Sequence, residues 1–234
     1  MGNKVINLLD RLLDTALVIV GVLLLLIGVY SMLDNLWLNQ NASDRSFLIY
    51  RPALDEPLTP EKKITDNQVA WVTLDDTNID YPIMQGKNNS EYLNKDPYGE
   101  YSLSGSIFLD SRCDPALGDP YSLVYGHNMS HGAMFGALDE YREKPYFNAH
   151  RTGTIVTDES IFDYRLFAVA FVEATDETVF NPSYTSREDI LAFLKKNAMI
   201  YTEPTEGARI VALSTCSDAT SLMRLLVFGT IQER

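Results

Sequence analysis

Cysteine is scarce: Cys113 and Cys216 are the only two in 234 residues. That excludes a disulfide framework, and a single bridge would consume the thiol with the richer chemical surroundings, so two independent thiols are expected. Positive charge is scarce too, with 19 Lys and Arg against 32 Asp and Glu and a formal net charge of −13. Phosphate backbones are held by basic patches, and none is visible, so nucleic acid is not an expected partner. Internal repeats and low-complexity tracts are lacking. A hydrophobic share of 46% with 11% aromatic residues excludes a disordered chain. Once an N-terminal segment is set aside, the remainder suits one domain of about 170 to 200 residues.

Between Asp14 and Asp34 charge is missing altogether. The run from Ala16 to Met32 is apolar enough to cross a hydrocarbon core of ~30 Å as a helix. The residues after it, Ser31 to Trp37, offer no small-residue cleavage site, so an uncleaved anchor is expected instead of a removable signal. Lys4, Arg11 and the amino terminus precede the span, whereas the first basic residue after it is Arg45. That bias implies a cytoplasmic N-terminus and an exported domain. The expected division is residues 1–14 cytoplasmic, 15–33 transmembrane, 34–66 a helical and proline-broken linker (Pro52, Pro57, Pro60), and 67–234 the catalytic domain.

That domain reads mainly as β-structure. Val69 to Leu74 and Ile79 to Met84 flank the turn signal Asp75-Asp-Thr-Asn, which predicts a hairpin. Ser106 to Leu109, Ser122 to Tyr125, Thr154 to Thr157 and Tyr164 to Val172 continue the series. Helical patterns interrupt it from about Ala133 to Arg142 and from Ser186 to Ala198, the latter opening on Ser186-Arg-Glu-Asp. Short strands with turn signals between them suggest a barrel or a sandwich.

Chemistry concentrates in two stretches. In the first, the strand-like run Ile210 to Leu213 leads through Ser214 and Thr215 to Cys216. A polar turn at Ser217 to Ser221 follows, and a second strand-like run, Leu222 to Ile231, carries Arg224. As an antiparallel hairpin this sets a thiol against a permanent cation, which favours a thiolate and offers an oxyanion partner. In the second, His127 stands at the strand-to-loop junction of Tyr125-Gly-His-Asn-Met129, where it can serve a thiol as proton partner. His127 and His131 are four apart, but the glycine-flanked context is not helical and no further ligand cluster accompanies them, so no metal or other cofactor is expected. His150 reads as a surface turn residue. Cys113 reads as a bystander whose acidic neighbours raise its pKa.

Taken together, Tyr125-Gly-His-Asn-Met129, Leu213-Ser-Thr-Cys216 and Arg224 resemble the sortases, Gram-positive cysteine transpeptidases that join surface proteins to the cell wall. The resemblance runs from about Val69 to Ile231. It is reinforced by Ile79-Asp-Tyr-Pro82, Asn89-Ser-Glu-Tyr-Leu93, Gly105-Ser-Ile-Phe-Leu-Asp110 and Met134-Phe135, and the helical insert before Ile210 points to class B. It implies a closed eight-stranded sortase-type β-barrel with peripheral helices, plus the N-terminal transmembrane helix. It also implies Cys216 as nucleophile, His127 as acid and base, and Arg224 as the oxyanion partner, with Asn89, Leu93, Tyr125, Ser214 and Thr215 binding substrate. The implied reaction cuts a C-terminal sorting motif after Thr, forms a thioester acyl-enzyme and passes the surface protein to an amine of the cell wall or of a pilin. The implied location is the cell membrane, single-pass, with the catalytic domain outside. One departure is Ala212, where family members often carry threonine.

Two other readings fit the same residues. A membrane-anchored cysteine peptidase would release an acid instead of an amide. An exported adhesion or scaffold domain would use its Cys and His structurally, and its thiol would resist alkylation.

Overall fold

The computed structural model describes residues 2–43, 45–129, 132–216 and 222–234. The chain forms two compact units, one ending at Gln40 and the other running Asn41–Arg234. The first is dominated by helix α1, Gly2–Ser43, whose window Leu9–Asp34 is long and apolar enough to cross a membrane. Its 26 residues span about 39 Å as a helix. The mostly uncharged run leaves this window no polar face, and none of it is buried against protein.

The second unit is built from nine strands: β1 Gln68–Leu74, β2 Asp80–Met84, β3 Ile107–Leu109, β4 Tyr121–His127, β5 Thr152–Thr157, β6 Ile161–Glu173, β7 Ile200–Tyr201, β8 Arg209–Cys216 and β9 Met223–Glu233. Their order is β5-β1-β2-β3-β4-β8-β9-β6-β7, and a further β5–β6 pairing joins the ends. Eight strands thereby close into a barrel, with β7 appended to β6. Closure removes the free sheet edges that an open sheet would present. Two neighbour pairs are parallel, β2–β3 and β4–β8; the rest are antiparallel.

Alternation along the strands assigns the two layers of core. On β8, Val211 and Leu213 join the large interior cluster, while Ile210 and Ala212 belong to a second cluster on the outer face. On β9 the same split separates Leu225 and Val227 from Leu226 and Phe228. The outer cluster needs a cover, because apolar side chains there would otherwise face water. Helix α4, Arg187–Asn197, supplies it with Ile190 and Leu194, each fully buried. Burial of each contributes about 1.5–3 kcal/mol. The helix starts at a capping box in which the Ser186 hydroxyl accepts from the Asp189 backbone N–H and the Asp189 carboxylate accepts from Ser186 N–H. The short helix α3, Glu177–Phe180, adds Val179 to the same cover.

Some elements depart from sequence expectation. The helix expected from about Ala133 to Arg142 is a 3-10 helix over Phe135–Arg142, in which Phe135, Leu138 and Tyr141 are buried. A spacing of three places them on one side of a helix with three residues per turn. Helix α2, Lys144–Ala149, follows at once. Residues 34–66 divide between the units. The early part continues α1, while from Asn41 onward the chain belongs with the barrel. Phe47 is buried against the rings of Trp71 and Tyr81 at 6.0 and 5.5 Å, and Leu58 is 1% exposed. Leu58 N–H also donates to the Thr157 carbonyl at 2.8 Å. The prolines do not make this stretch a free tether.

Gly229 on β9 lies against the Tyr164 ring so closely that any Cβ would overlap it. The Tyr164 hydroxyl is itself held, donating to the Val211 carbonyl at 3.0 Å. Gly229→Ala is therefore expected to cost about 1–3 kcal/mol through overpacking, read as a lower midpoint in urea denaturation. An unchanged midpoint would show that the ring has room to move.

Candidate active site

The candidate site forms where β4, β8 and β9 end or begin at one rim of the barrel. Strands β4 and β8 run parallel with an unbroken register from Tyr121↔Ile210 to His127↔Cys216. The last pair of that ladder is thus the expected base and the expected nucleophile. Strand β9 returns antiparallel to β8 with Ser214↔Leu226 in register, so two residues further on Arg224 stands level with Cys216. By alternation, the backbone positions of His127, Cys216 and Arg224 share the outer face with Tyr125, Ser214 and Leu226. The sequence expectation of a hairpin joining Cys216 and Arg224 holds for its strands. The polar turn at residues 217–221, with His131, lies outside the described residues.

Thr215 fixes the end of this ladder. Its hydroxyl accepts from Leu225 N–H at 3.1 Å and reaches the Leu225 carbonyl at 3.3 Å, with Thr215 only 1% exposed. A valine would leave those buried backbone groups without that partner. Ser214 is equally buried, its hydroxyl 3.4 Å from the Thr215 carbonyl. Both residues position the end of β8 rather than offering open hydroxyls.

His127 is half-buried, and its Nε2 lies 2.9 Å from the Leu93 carbonyl oxygen. A carbonyl only accepts, so this contact calls for a proton on Nε2 and leaves Nδ1 as the nitrogen that can gain or lose one. The Leu93 carbonyl is held in place by a tight turn at Gly105, whose φ is +58° and where a Cβ would approach Leu93 O at 2.6 Å. Past His127, Asn128 donates to Asp139 Oδ2 at 3.0 Å and forms a bridge to Met134, whose N–H donates to the Tyr81 hydroxyl at 2.9 Å. These bonds restrain the chain on either side of the gap at residues 130 and 131.

Asn89 and Tyr125 meet at a residue that motif reading passed over, Asp110, which is fully buried at the end of β3. Its carboxylate accepts from Asn89 Nδ2 at 2.8 Å, from the Tyr125 hydroxyl at 3.0 Å, and from Arg112 Nε and Nη2 at 2.9 and 2.7 Å. Arg112 extends the network to the Phe180 carbonyl and to Asn181 beyond α3. Burial pushes the Asp110 carboxyl up, but the hydrogen bonds from Arg112 and Asn89 outweigh it and hold the group below the ordinary range. The available signal was Asp110-Ser-Arg112, a carboxylate and a guanidinium two residues apart directly after a strand. Cys113 next to it is buried, and burial first, then Asp110 and Asp119, pushes its thiol up to about 12. The acidic neighbours invoked from sequence are thus the secondary cause. Its thiolate is not available near neutral pH. His150 caps α2 and stacks on Tyr146 at 4.0 Å. Among the described residues no group of three His, Cys, Asp or Glu is arranged to hold a metal ion.

Residues 72–232 match the sortase family model, described as a sortase domain. The chain belongs to the sortase family. A curated sortase B from Listeria monocytogenes is 37% identical over 162 residues, covering 66% of this chain and 65% of the relative. A sortase B from Staphylococcus aureus is 30% identical over 165 residues, covering 68% and 67%. The solved structure of a Streptococcus pyogenes class B sortase involved in pilus biogenesis matches with a TM-score of 0.66 at 42% identity, covering 72% of this chain and 94% of that one. Within the family, these relatives place the chain in class B. It spans just under two thirds of the Listeria relative's length.

A depressed pKa in the folded state means that the charged Asp110 contributes stability above its unfolded value of ~3.9, and that this contribution is lost as pH falls through the lower folded value. Asp110→Asn is expected to cost about 2 kcal/mol at neutral pH and to lose less stability on acidification than the parent. Urea denaturation at pH 7 and in the acidic range checks both; parallel curves at the two pH values would remove the carboxylate from the account.

Proposed function

We propose that this chain is a membrane-anchored cysteine transpeptidase that sorts surface proteins outside the cell. The observation that carries the proposal is the register His127↔Cys216 on parallel strands with Arg224 level on the next strand. Cys216 as thiolate attacks the carbonyl that follows threonine in a C-terminal sorting motif. Arg224, a permanent cation with a planar fork of donors, stabilises the oxyanion. His127 protonates the departing amine, leaving a thioester on Cys216, and then takes the proton of the incoming amine. Leu93 and Tyr125, half-buried beside His127 and Asp110, suit the groove that binds the motif. Asn89 shapes that groove through Asp110, and Ser214 and Thr215 hold the nucleophile's strand in position.

The acceptor is an amine of a cell-wall precursor or of a pilin. Pilus involvement of the S. pyogenes relative makes a pilin lysine the first acceptor to test. The apolar window of α1 supports a single membrane span, and the distribution of basic residues supports an outward-facing catalytic domain.

The test is mass spectrometry of the protein with a panel of sorting-motif peptides, with and without candidate amines. The expected result is a Cys216-linked acyl adduct that becomes an amide when amine is added and is absent from Cys216→Ala. Arg224→Ala is expected to lower kcat about 100- to 1000-fold, the cost of losing one oxyanion donor. Hydrolysis indifferent to every amine would favour a cysteine peptidase. Failure of the thiol to form any adduct or to react with alkylating agents would favour a scaffold domain.

A further inference from the structure

Far along the barrel from the candidate active site, two arginines share a cavity. Arg151 directly precedes β5, and Arg165 stands on β6, in register with Thr152 and with Thr230 of β9. Both line a cavity of about 290 Å³ together with Thr202, Thr205 and Thr230. Thr230 is six residues from Arg224 along β9, a separation of about 20 Å. This is a different place from the site of chemistry.

The two cations are close enough for Arg165 to lower the pKa of Arg151, after burial as the main cause. Neither is in an ion pair among the described residues. The chain has 13 more carboxylates than cations, so a neutralising acid was readily available at such a spot. The carboxylate that does line the cavity, Glu203, is directed elsewhere, to Lys195 Nζ at 3.7 Å and to the Tyr201 hydroxyl at 3.4 Å.

Their roles differ. Arg151 is anchored, donating from Nε to the Leu166 carbonyl at 3.1 Å and from Nη2 to the Thr202 hydroxyl at 2.8 Å, with its guanidinium over the Phe147 ring. That arrangement positions its remaining donors. Arg165 is exposed, and none of the described hydrogen bonds uses its guanidinium to hold the fold. Thr205 is held on the rim by Arg187, which donates to the Thr205 and Ala208 carbonyls at 3.0 and 2.8 Å. Adjacent like charges with hydroxyls around them are costly without a counter-charge, and guanidinium forks match the oxygens of phosphate.

We propose that the Arg151–Arg165 cavity binds a phosphate group, held between the two guanidinium groups with the threonine hydroxyls around it. The group could be carried by a soluble or polymeric phosphate ester or by a lipid headgroup; the recognising chemistry is the same.

The test uses the full chain in a neutral detergent and reads its Tm with inorganic phosphate, with glycerol phosphate, and in micelles doped with phosphatidylglycerol, each against chloride at equal ionic strength. A ligand that binds the folded state alone raises Tm. The expected result is a rise with phosphate or its ester that Arg165→Gln abolishes, with the affinity falling at least tenfold while the variant's own Tm and its acyl-adduct formation stay at the parent's values. A rise confined to the doped micelles, and lost in Arg165→Gln, assigns the phosphate to a lipid. A rise that persists in Arg165→Gln, or no rise with any of the three, overturns the proposal.

Discussion

The parallel pairing of β4 with β8 is the constraint on which the site depends. Seven successive pairs, from Tyr121↔Ile210 to His127↔Cys216, must keep one register for the two residues to arrive together. A slip of one residue would send the alternate set of side chains outward, exchanging the Ile210 and Ala212 face for the Val211 and Leu213 face. Each layer of core therefore enforces the position of the chemistry. Parallel neighbours need a long crossover, and here the chain between His127 and Arg209 supplies β5, β6, α3, α4 and β7. The insert is both the connection and the cover of the outer core, which explains why its apolar residues, Val179, Ile190 and Leu194, fall in one cluster with Leu123 and Ala212. Ala212 suits that place as a small, fully buried residue, where a hydroxyl would need a partner.

A second tier of polar contacts sets what the register leaves open. The Leu93 carbonyl orients His127, Thr215 ties β8 to β9 one residue before the nucleophile, and Asp110 gathers Asn89, Tyr125 and Arg112. A buried carboxylate is tolerated only when its oxygens are fully engaged by donors, so Asp110 compels its neighbours to stay where they are. The candidate groove residues are thus supported from behind by groups that do not themselves face substrate. This places the precision of the site in hydrogen bonds and leaves the thermodynamic bulk to the two cores.

What could be read in advance followed from periodicity and from spacing. The β1–β2 hairpin was legible because Val69 to Leu74 and Ile79 to Met84 flank a turn rich in Asp and Asn, and α4 because Ser186 and Asp189 form a box before Ile190. The candidate nucleophile and base were legible because Cys216 and His127 each close a strand. Less legible were contacts made across long separations. Asp110 gives no local sign of being fully buried, since its partners Asn89 and Tyr125 lie 21 and 15 residues away. Phe47 and Leu58 sit in a proline-interrupted stretch without periodicity, so their docking on Trp71 and Thr157 depends on the closed barrel being there to receive them. The 3-10 helix at Phe135–Arg142 was mistaken for a regular helix because apolar spacings of three satisfy both periods over two turns.

The distribution of charge has its own logic. Several of the scarce cations act as cross-links: Arg234 joins Asp163, the Leu54 carbonyl and Thr154, Arg209 reaches the Leu117 carbonyl, and Arg45 reaches the Asn78 carbonyl. A guanidinium can satisfy two or three carbonyls that no strand pairs, which makes arginine the means of fastening loops to the barrel. The surplus of carboxylates is left on the surface and gives the chain its negative field. That field opposes any anion at a distance, but at physiological salt it is screened over about 8 Å. Inside that range, what decides is the local pair of charges and not the total. An acidic protein can therefore hold a phosphate only at a spot where cations are brought together and kept from their own carboxylates, and Arg151 with Arg165 meets that condition.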